Sequence, residues 1–205
     1  MSSNNKKVWL ITGSSSGFGR ALAEAVLKHG VSEAPAKQTR LIATARKPEQ
    51  LNDFVNMSAI AGFSNELGFS IYGGPKFALE GVSEALHGEV APLGIKVTIV
   101  EPGPFRTDFI GRSLDRAEHN LDEYQQTVGK FLQFLDKIEG TQPGDPGKAA
   151  QVLIQVVNSD NPPLRLVLGK YAYSKFRKKI ESLTAELDAW EQIAASTDFE
   201  TAGAR

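Results

Sequence analysis

Lys7-Val8-Trp9-Leu10-Ile11-Thr12-Gly13-Ser14-Ser15-Ser16-Gly17-Phe18-Gly19 is an apolar run that breaks onto three glycines. Val8 to Ile11 is short, continuous and rich in large apolar residues, so Lys7 to Thr12 reads as a buried strand. After the glycines, Leu22, Ala25, Val26 and Leu27 mark a helix running to about His29. Glycines clear side chains from the path of a phosphate, and the helix N-terminus offers free N–H groups and a partial positive charge. The spacing Gly13-x-x-x-Gly17-x-Gly19 is not the G-x-G-x-x-G of ordinary dinucleotide folds, and a turn without a ligand is the plain alternative.

Outward from this turn the elements alternate. Gly30 to Thr39, with Pro35, reads as a loop, and Arg40 to Ala45 as a second strand. Pro48 to Phe54 is read as the start of a helix and Val55 to Ser58 as a short strand, followed by a Gly- and Ser-rich loop to Ile71. A helix from about Tyr72 to Val90 is expected to turn Ala78, Val82, Ala85, Leu86 and Val90 inward. Ile95 to Glu101 is a mostly β-branched strand, and Leu121 to Ile138 an amphipathic helix. Asp145-Pro146 is an N-cap with Pro at the first helical position, opening a helix to about Asn158. Leu164 to Leu168 is a last strand, and a charged helix from about Tyr173 to Ala194 precedes a tail, about 195–205, expected to fray. Strands alternating with helices predict an α/β fold, a parallel sheet with helices on both faces, in a single domain with its core at about 7–194.

Composition sets the bounds. The chain has 205 residues, 41% of them hydrophobic and 23% charged, enough to bury a sizeable core. Lys and Arg number 23 against 24 Asp and Glu, so there is no electrostatic footprint for nucleic acid. Cys is absent, which excludes disulfides, Cys-ligated zinc and thiol catalysis. The three histidines do not pair at metal-ligand spacing, so no metal site is expected. No apolar run reaches the ~20 residues of a membrane span. Met1 to Lys7 is polar, without a signal-peptide pattern, and a cytoplasmic location is the expectation.

Two further features carry chemistry. Arg46 follows the second strand, where an acidic residue would grip the ribose hydroxyls of NAD. A cation there suits a 2′-phosphate, hence NADP before NAD, with Arg20 and Lys47 able to assist; a solvated surface charge is the alternative. Tyr72 and Lys76 stand four apart at the start of a helix and so share one face. An ammonium beside a phenol favours the phenolate, which would make Tyr72 a general acid or base. Taken alone, the pair is more often an ordinary surface pair.

Thr12-Gly13-Ser14-Ser15-Ser16-Gly17-Phe18-Gly19, Ala43-Thr44-Ala45-Arg46, Tyr72-Gly73-Gly74-Pro75-Lys76-Phe77-Ala78-Leu79-Glu80-Gly81 and Glu101-Pro102-Gly103-Pro104-Phe105-Arg106-Thr107 come in a telling order. Together they closely resemble the short-chain dehydrogenase/reductase superfamily, in the branch of NADP-preferring hydroxysteroid and retinol dehydrogenases. The likeness spans about Lys7 to Leu168. It implies a Rossmann-type sheet and hydride transfer between NADP(H) and an alcohol or carbonyl carbon, with Tyr72 and Lys76 carrying the proton. Gly13, Ser15, Ser16, Gly17, Phe18 and Gly19 would wrap the diphosphate, and Arg46 the 2′-phosphate. Lys76 would hold the nicotinamide ribose, and Pro102, Gly103, Phe105 and Thr107 would seat the nicotinamide ring. The substrate implied is a small hydrophobic alcohol or carbonyl compound, covered by Leu121–Ile138. The helix from Tyr72 commonly builds a dimer interface in this family, which implies a homodimer or a heterodimer with full-length paralogues.

The chain departs from the family pattern in three places. The family's catalytic serine stands thirteen residues before the tyrosine, and that position is Ala59. Ser58 is its neighbour, and on a strand the two side chains point to opposite faces. The Asn-Asn-Ala-Gly motif, the acidic residue that contacts adenine and the asparagine of the following helix are all missing. Leu51-Asn52-Asp53-Phe54 runs directly into Val55-Asn56-Met57-Ser58, where two central βα units and a further helix, roughly 80 residues at ~30 per unit, would intervene. Pro75 falls in the first turn of the helix, where it is tolerated. The loss of two central strands implies either an unpaired edge inside the molecule or a strand slid by ~4.8 Å to fill the gap. The alternative to an oxidoreductase is therefore a catalytically inactive remnant or splice form that binds cofactor or dimerises.

Overall fold

The computed structural model describes residues 17–28, 53–116 and 121–199. The expected strands at 7–12 and 40–45, the loop between them and the candidate residues Gly13, Ser15, Ser16 and Arg46 lie outside the described residues.

Three parallel strands form the described sheet in the order β1 (Asp53–Met57), β2 (Lys96–Pro102), β3 (Arg165–Leu168). The register sets Val55 beside Thr98 and Glu101 beside Val167. β1 begins two residues earlier than the sequence predicts, so Asp53 and Phe54 are strand and not the end of a helix. The β-branched Val97-Thr98-Ile99-Val100 favours the pleated conformation and is buried throughout.

One face of the sheet is covered by α1 (Gly17–Lys28) and α4 (Pro146–Val157). Leu22, Ala23 and Val26 of α1 meet Ala149, Ala150, Leu153 and Val157 of α4 above Val55, Val100 and Leu168. Leu22 and Leu153 are completely buried, each contributing ~1.5–3 kcal/mol relative to an exposed side chain. The Asp145 carboxylate accepts hydrogen bonds from the N–H groups of Gly147 at 2.8 Å and Lys148 at 3.2 Å, with Pro146 at the first position, as the sequence predicts. Asp145→Ala is expected to cost ~1 kcal/mol, read from the urea midpoint at unchanged slope. No loss would mean that α4 is held by its packed face alone.

α2 (Ser70–Val90) packs on the other face, turned differently from the sequence expectation. Ala78, Val82 and Ala85 face outward, and Val82 is 66% exposed; Leu86 and Val90 are half-buried. The buried side carries Gly73, Glu80 and Ser83. Ser83 Oγ donates to the Leu79 carbonyl at 2.6 Å and accepts from Asn56 Nδ2 of β1 at 2.8 Å. Glu80 pairs with Arg165 of β3, which also donates to Glu101 of β2 at 2.6 Å and to Glu84 at 2.5 Å. A polar network, rather than an apolar stripe, seats this helix.

The stretch expected as a helix over 121–138 is a broken helical run: a 3₁₀ turn Asp122–Tyr124, a π turn Gln125–Gly129 and α3 (Lys130–Ile138). Its apolar stripe turns inward only from Val128 on, ending in buried Leu135, while Leu121 and Tyr124 are exposed. α5 (Lys170–Ala195) follows β3 and closes the described fold.

Candidate functional site

β1 and β2 both end beside one cavity of about 460 Å³, at the carboxyl edge of the sheet where open α/β folds take ligands. It gathers eight of the residues singled out in the sequence: Gly17, Phe18, Tyr72, Lys76, Pro102, Gly103, Phe105 and Thr107. Gly19 lies in the first turn of α1.

Gly17 opens α1 in the left-handed region, φ +55°, which only glycine adopts without strain. A Cβ built there would stand 3.6 Å from Thr107 Cβ, so the start of α1 and the loop after β2 face each other across the cavity. Phe18 meets Phe105 edge to face at 5.1 Å and fastens the same two elements. Gly103 is small for a different reason: a side chain would press on Ala172 Cβ at 3.2 Å and its N–H at 3.3 Å, where α5 begins.

Tyr72 and Lys76 share the inner side of the first turns of α2. Lys76 Nζ donates to the Met57 carbonyl at 2.8 Å and sits 6.0 Å from the centre of the Tyr72 ring. The ring itself lies among aromatics, edge-on to Phe69 at 5.4 Å and tilted to Phe109 at 5.1 Å. This burial raises the Tyr72 phenol above its ordinary range, opposite to the direction expected from the sequence. Burial also lowers the Lys76 ammonium, with Glu80 pulling the other way. In the protein alone the surrounding rings desolvate the phenol, while the ammonium donates to a backbone carbonyl.

Ala59 is buried on the cavity wall in extended backbone, φ −159° and ψ 162°, immediately before the 3₁₀ turn Ile60–Gly62. Its methyl group offers no donor. Ser58 is held through its N–H to the Val100 carbonyl at 2.9 Å, and its hydroxyl is aimed at Gly62, where an added Cβ would stand 2.6 Å from Ser58 Oγ and 3.0 Å from Glu80 Oε1. It therefore points toward the α2 network and does not replace the missing group.

The rest of the wall joins the stretch expected to cover the substrate, which supplies Phe131, Phe134, Leu135 and Ile138, to Phe69 and Phe109, which were not singled out in the sequence. Phe69, Phe109, Phe131, Phe134 and Leu135 make it aromatic and apolar, and Phe131 meets Phe69 edge to face at 5.1 Å. At one rim Glu66 accepts from the Tyr171 hydroxyl at 2.6 Å and pairs with Lys175. Gln142 is 1% exposed, lines the cavity and keeps its Oε1 without a partner among the described residues. Phe69 and Phe109 carry no spacing signal, and only the fold brings them to the 121–138 stretch.

The chain matches the family described as short chain dehydrogenase over residues 37–118. An oxidoreductase of Botryotinia fuckeliana is 29% identical over 280 aligned positions that take in 93% of this chain and 99% of the relative. With 93% of the 205 residues aligned, about 190, roughly 90 of the 280 positions have no counterpart in this chain. An uncharacterized oxidoreductase of Schizosaccharomyces pombe is 31% identical over 153 positions, 72% of this chain and 51% of the relative, so the chain spans about half of that protein's length. Among solved structures, a short-chain dehydrogenase from Streptomyces avermitilis superposes with a TM-score of 0.76 at 29% identity, covering 97% of this chain and 100% of that one. A short chain dehydrogenase from Burkholderia cenocepacia in complex with NADP has the same kind of fold, with a TM-score of 0.50 at 14% identity over 91% of this chain and 94% of that one.

Proposed function

We propose, from its likeness to short chain dehydrogenases, that the chain is a member of the short-chain dehydrogenase/reductase superfamily, a single-domain, cytoplasmic protein that binds NADP(H) and exchanges hydride with a hydrophobic alcohol or carbonyl compound. The observation that carries the reading is the single cavity that joins Tyr72 and Lys76 to the Gly17 turn and the Pro102–Thr107 loop. The described wall fits the nicotinamide half of such a cofactor. Gly17 leaves its approach free of a side chain, Thr107 faces it, and Gln142 holds a buried carbonyl oxygen without a partner among the described residues.

When bound, the cofactor supplies or accepts the hydride. Lys76 then orients the ribose, Tyr72 gives a proton to the substrate oxygen or takes one from it, and the phenylalanines keep water from the reacting carbon. The aromatic wall suits a hydrophobic substrate by burying its apolar surface. The roughly 90 aligned positions without a counterpart in this chain support an internal loss of the size expected from the motifs that are missing. Two features, Ala59 and this loss, favour slow turnover, and they sustain a second reading as a module that binds cofactor or dimerises without catalysis. The outward apolar side of α2, with Val82 and Ile71 (88% exposed), supports a dimer through that helix.

The test is NADPH consumption by the purified chain with a panel of hydrophobic aldehydes and ketones. Slow consumption with at least one is expected. NADPH binding without consumption by any of them would leave the module reading in place.

A further inference from the structure

α5 is fastened to the body only over its first third: Ala172 is fully buried, Phe176 stacks on Phe63 at 3.9 Å, and Lys175 pairs with Glu66. From Ile180 to Ala195 every residue is exposed, so ~24 Å of helix stands clear of the described fold. A lone helix of this length is marginal in water. Its sequence makes it more so. Lys170, Lys175, Arg177, Lys178 and Lys179 occupy the N-terminal part, and Glu181, Glu186, Asp188 and Glu191 the C-terminal part, the reverse of what the helix dipole favours.

Ile180, Leu183, Leu187, Trp190 and Ala194 recur at spacings of three, four, three and four, the seam of a two-helix coiled coil. Leu187 is 71% exposed and Trp190 62%. We propose that this seam pairs with the same seam of a second copy of the chain, antiparallel. That orientation lays the basic part of each helix along the acidic part of the other and opposes the two dipoles. It also leaves the two bodies at opposite ends of the pair. A parallel pair would set cations beside cations and acids beside acids, and would crowd the bodies together. With Leu183 layered on Leu187 of the second copy, and Ile180 on its Trp190, Arg177 comes beside Glu191 of the second copy. This interface is separate from the outward face of α2 and independent of any catalytic reading.

Sedimentation of the full chain tests it. The wild type is expected to be dimeric, and Leu187→Glu with Trp190→Glu to weaken the dimer ~100-fold or more while the thermal melt of the body is kept. Arg177→Glu and Glu191→Arg are each expected to weaken it, and the two together to restore it. Because the chain has no cysteine, orientation can be read by oxidation: a mixture of Leu183→Cys and Leu187→Cys chains forms a disulfide ahead of either chain alone. The proposal is overturned by a monomeric wild type, by Leu187→Cys chains cross-linking preferentially to themselves, or by a dimer that survives both glutamates, which would place the contact on α2. A monomer that sediments with phosphatidylcholine vesicles through the same seam would overturn it in favour of a membrane surface.

Discussion

Ala59→Ser is expected to raise NADPH-linked carbonyl reduction by ~10²–10³-fold, the typical worth of one donor aimed at a developing oxyanion. Ala59 is already on the cavity wall, in extended backbone that any residue adopts, and a serine adds a single oxygen there. The neighbouring Ser58 hydroxyl is turned toward Gly62 and Glu80. In the proposed reaction the gain requires Tyr72, because a held substrate oxygen still needs its proton. Tyr72→Phe is therefore expected to cost ~10²–10⁴-fold, and to leave Ala59→Ser without effect when the two are combined. Should Ala59→Ser leave the rate unchanged in a chain that still binds NADPH, the missing donor is not the limiting defect. A misplaced Tyr72 is then the expected one, since a 1 Å misplacement can cost ~10²-fold.

The second large effect falls on stability. Arg165 is the one guanidinium among the described residues that serves both buried carboxylates, Glu80 and Glu101. Arg165→Met removes it and leaves the completely buried Glu101 and its neighbour Glu80 without the guanidinium that donates to both. Breaking a buried pair from one side costs ~3–5 kcal/mol; with the Arg165 side chain 24% exposed, ~3 kcal/mol is expected, a fall in Tm of ~6–12 °C. The direction with pH follows from Glu101, whose carboxyl is pushed up to about 8, first by burial and then by Glu80, against the pull of Arg165. Between the ordinary carboxylate range and about 8 the folded chain keeps a proton that the unfolded chain has released. Wild-type stability therefore falls as pH rises through that window, and Glu101→Gln flattens the fall. Without Arg165 the two carboxylates repel more strongly as they ionise, so the loss in Arg165→Met grows with pH. A loss under ~1 kcal/mol, independent of pH, would contradict this account of how α2 is held.

The same network explains where the sequence could be read and where it could not. The α4 cap was legible because Asp145-Pro146 is a local device whose hydrogen bonds lie within four residues. β2 was legible because its β-branched run admits little else. The orientation of α2 was not, because Glu80 and Ser83 are buried by partners 85 and 27 residues away, and no periodicity rule credits a buried glutamate. At the cavity, Tyr72, Lys76 and the Pro102–Thr107 loop are the residues that ordered motifs singled out. Phe69 and Phe109 were missed because only the fold makes them neighbours of each other and of Phe131. The direction in which Tyr72 is shifted was misjudged for a related reason: helical spacing brings an ammonium near a phenol but says nothing of the aromatic residues that desolvate it.

A thermal melt of the purified chain with NADPH, with NADH and without either bears most directly on the claim that this chain has a cofactor cavity. At ~100 times its dissociation constant NADPH should add ~2.7 kcal/mol, raising Tm by ~5–11 °C, with NADH at the same concentration doing less. A cooperative melt that neither nucleotide moves would contradict the claim and leave a family fold without its cofactor site.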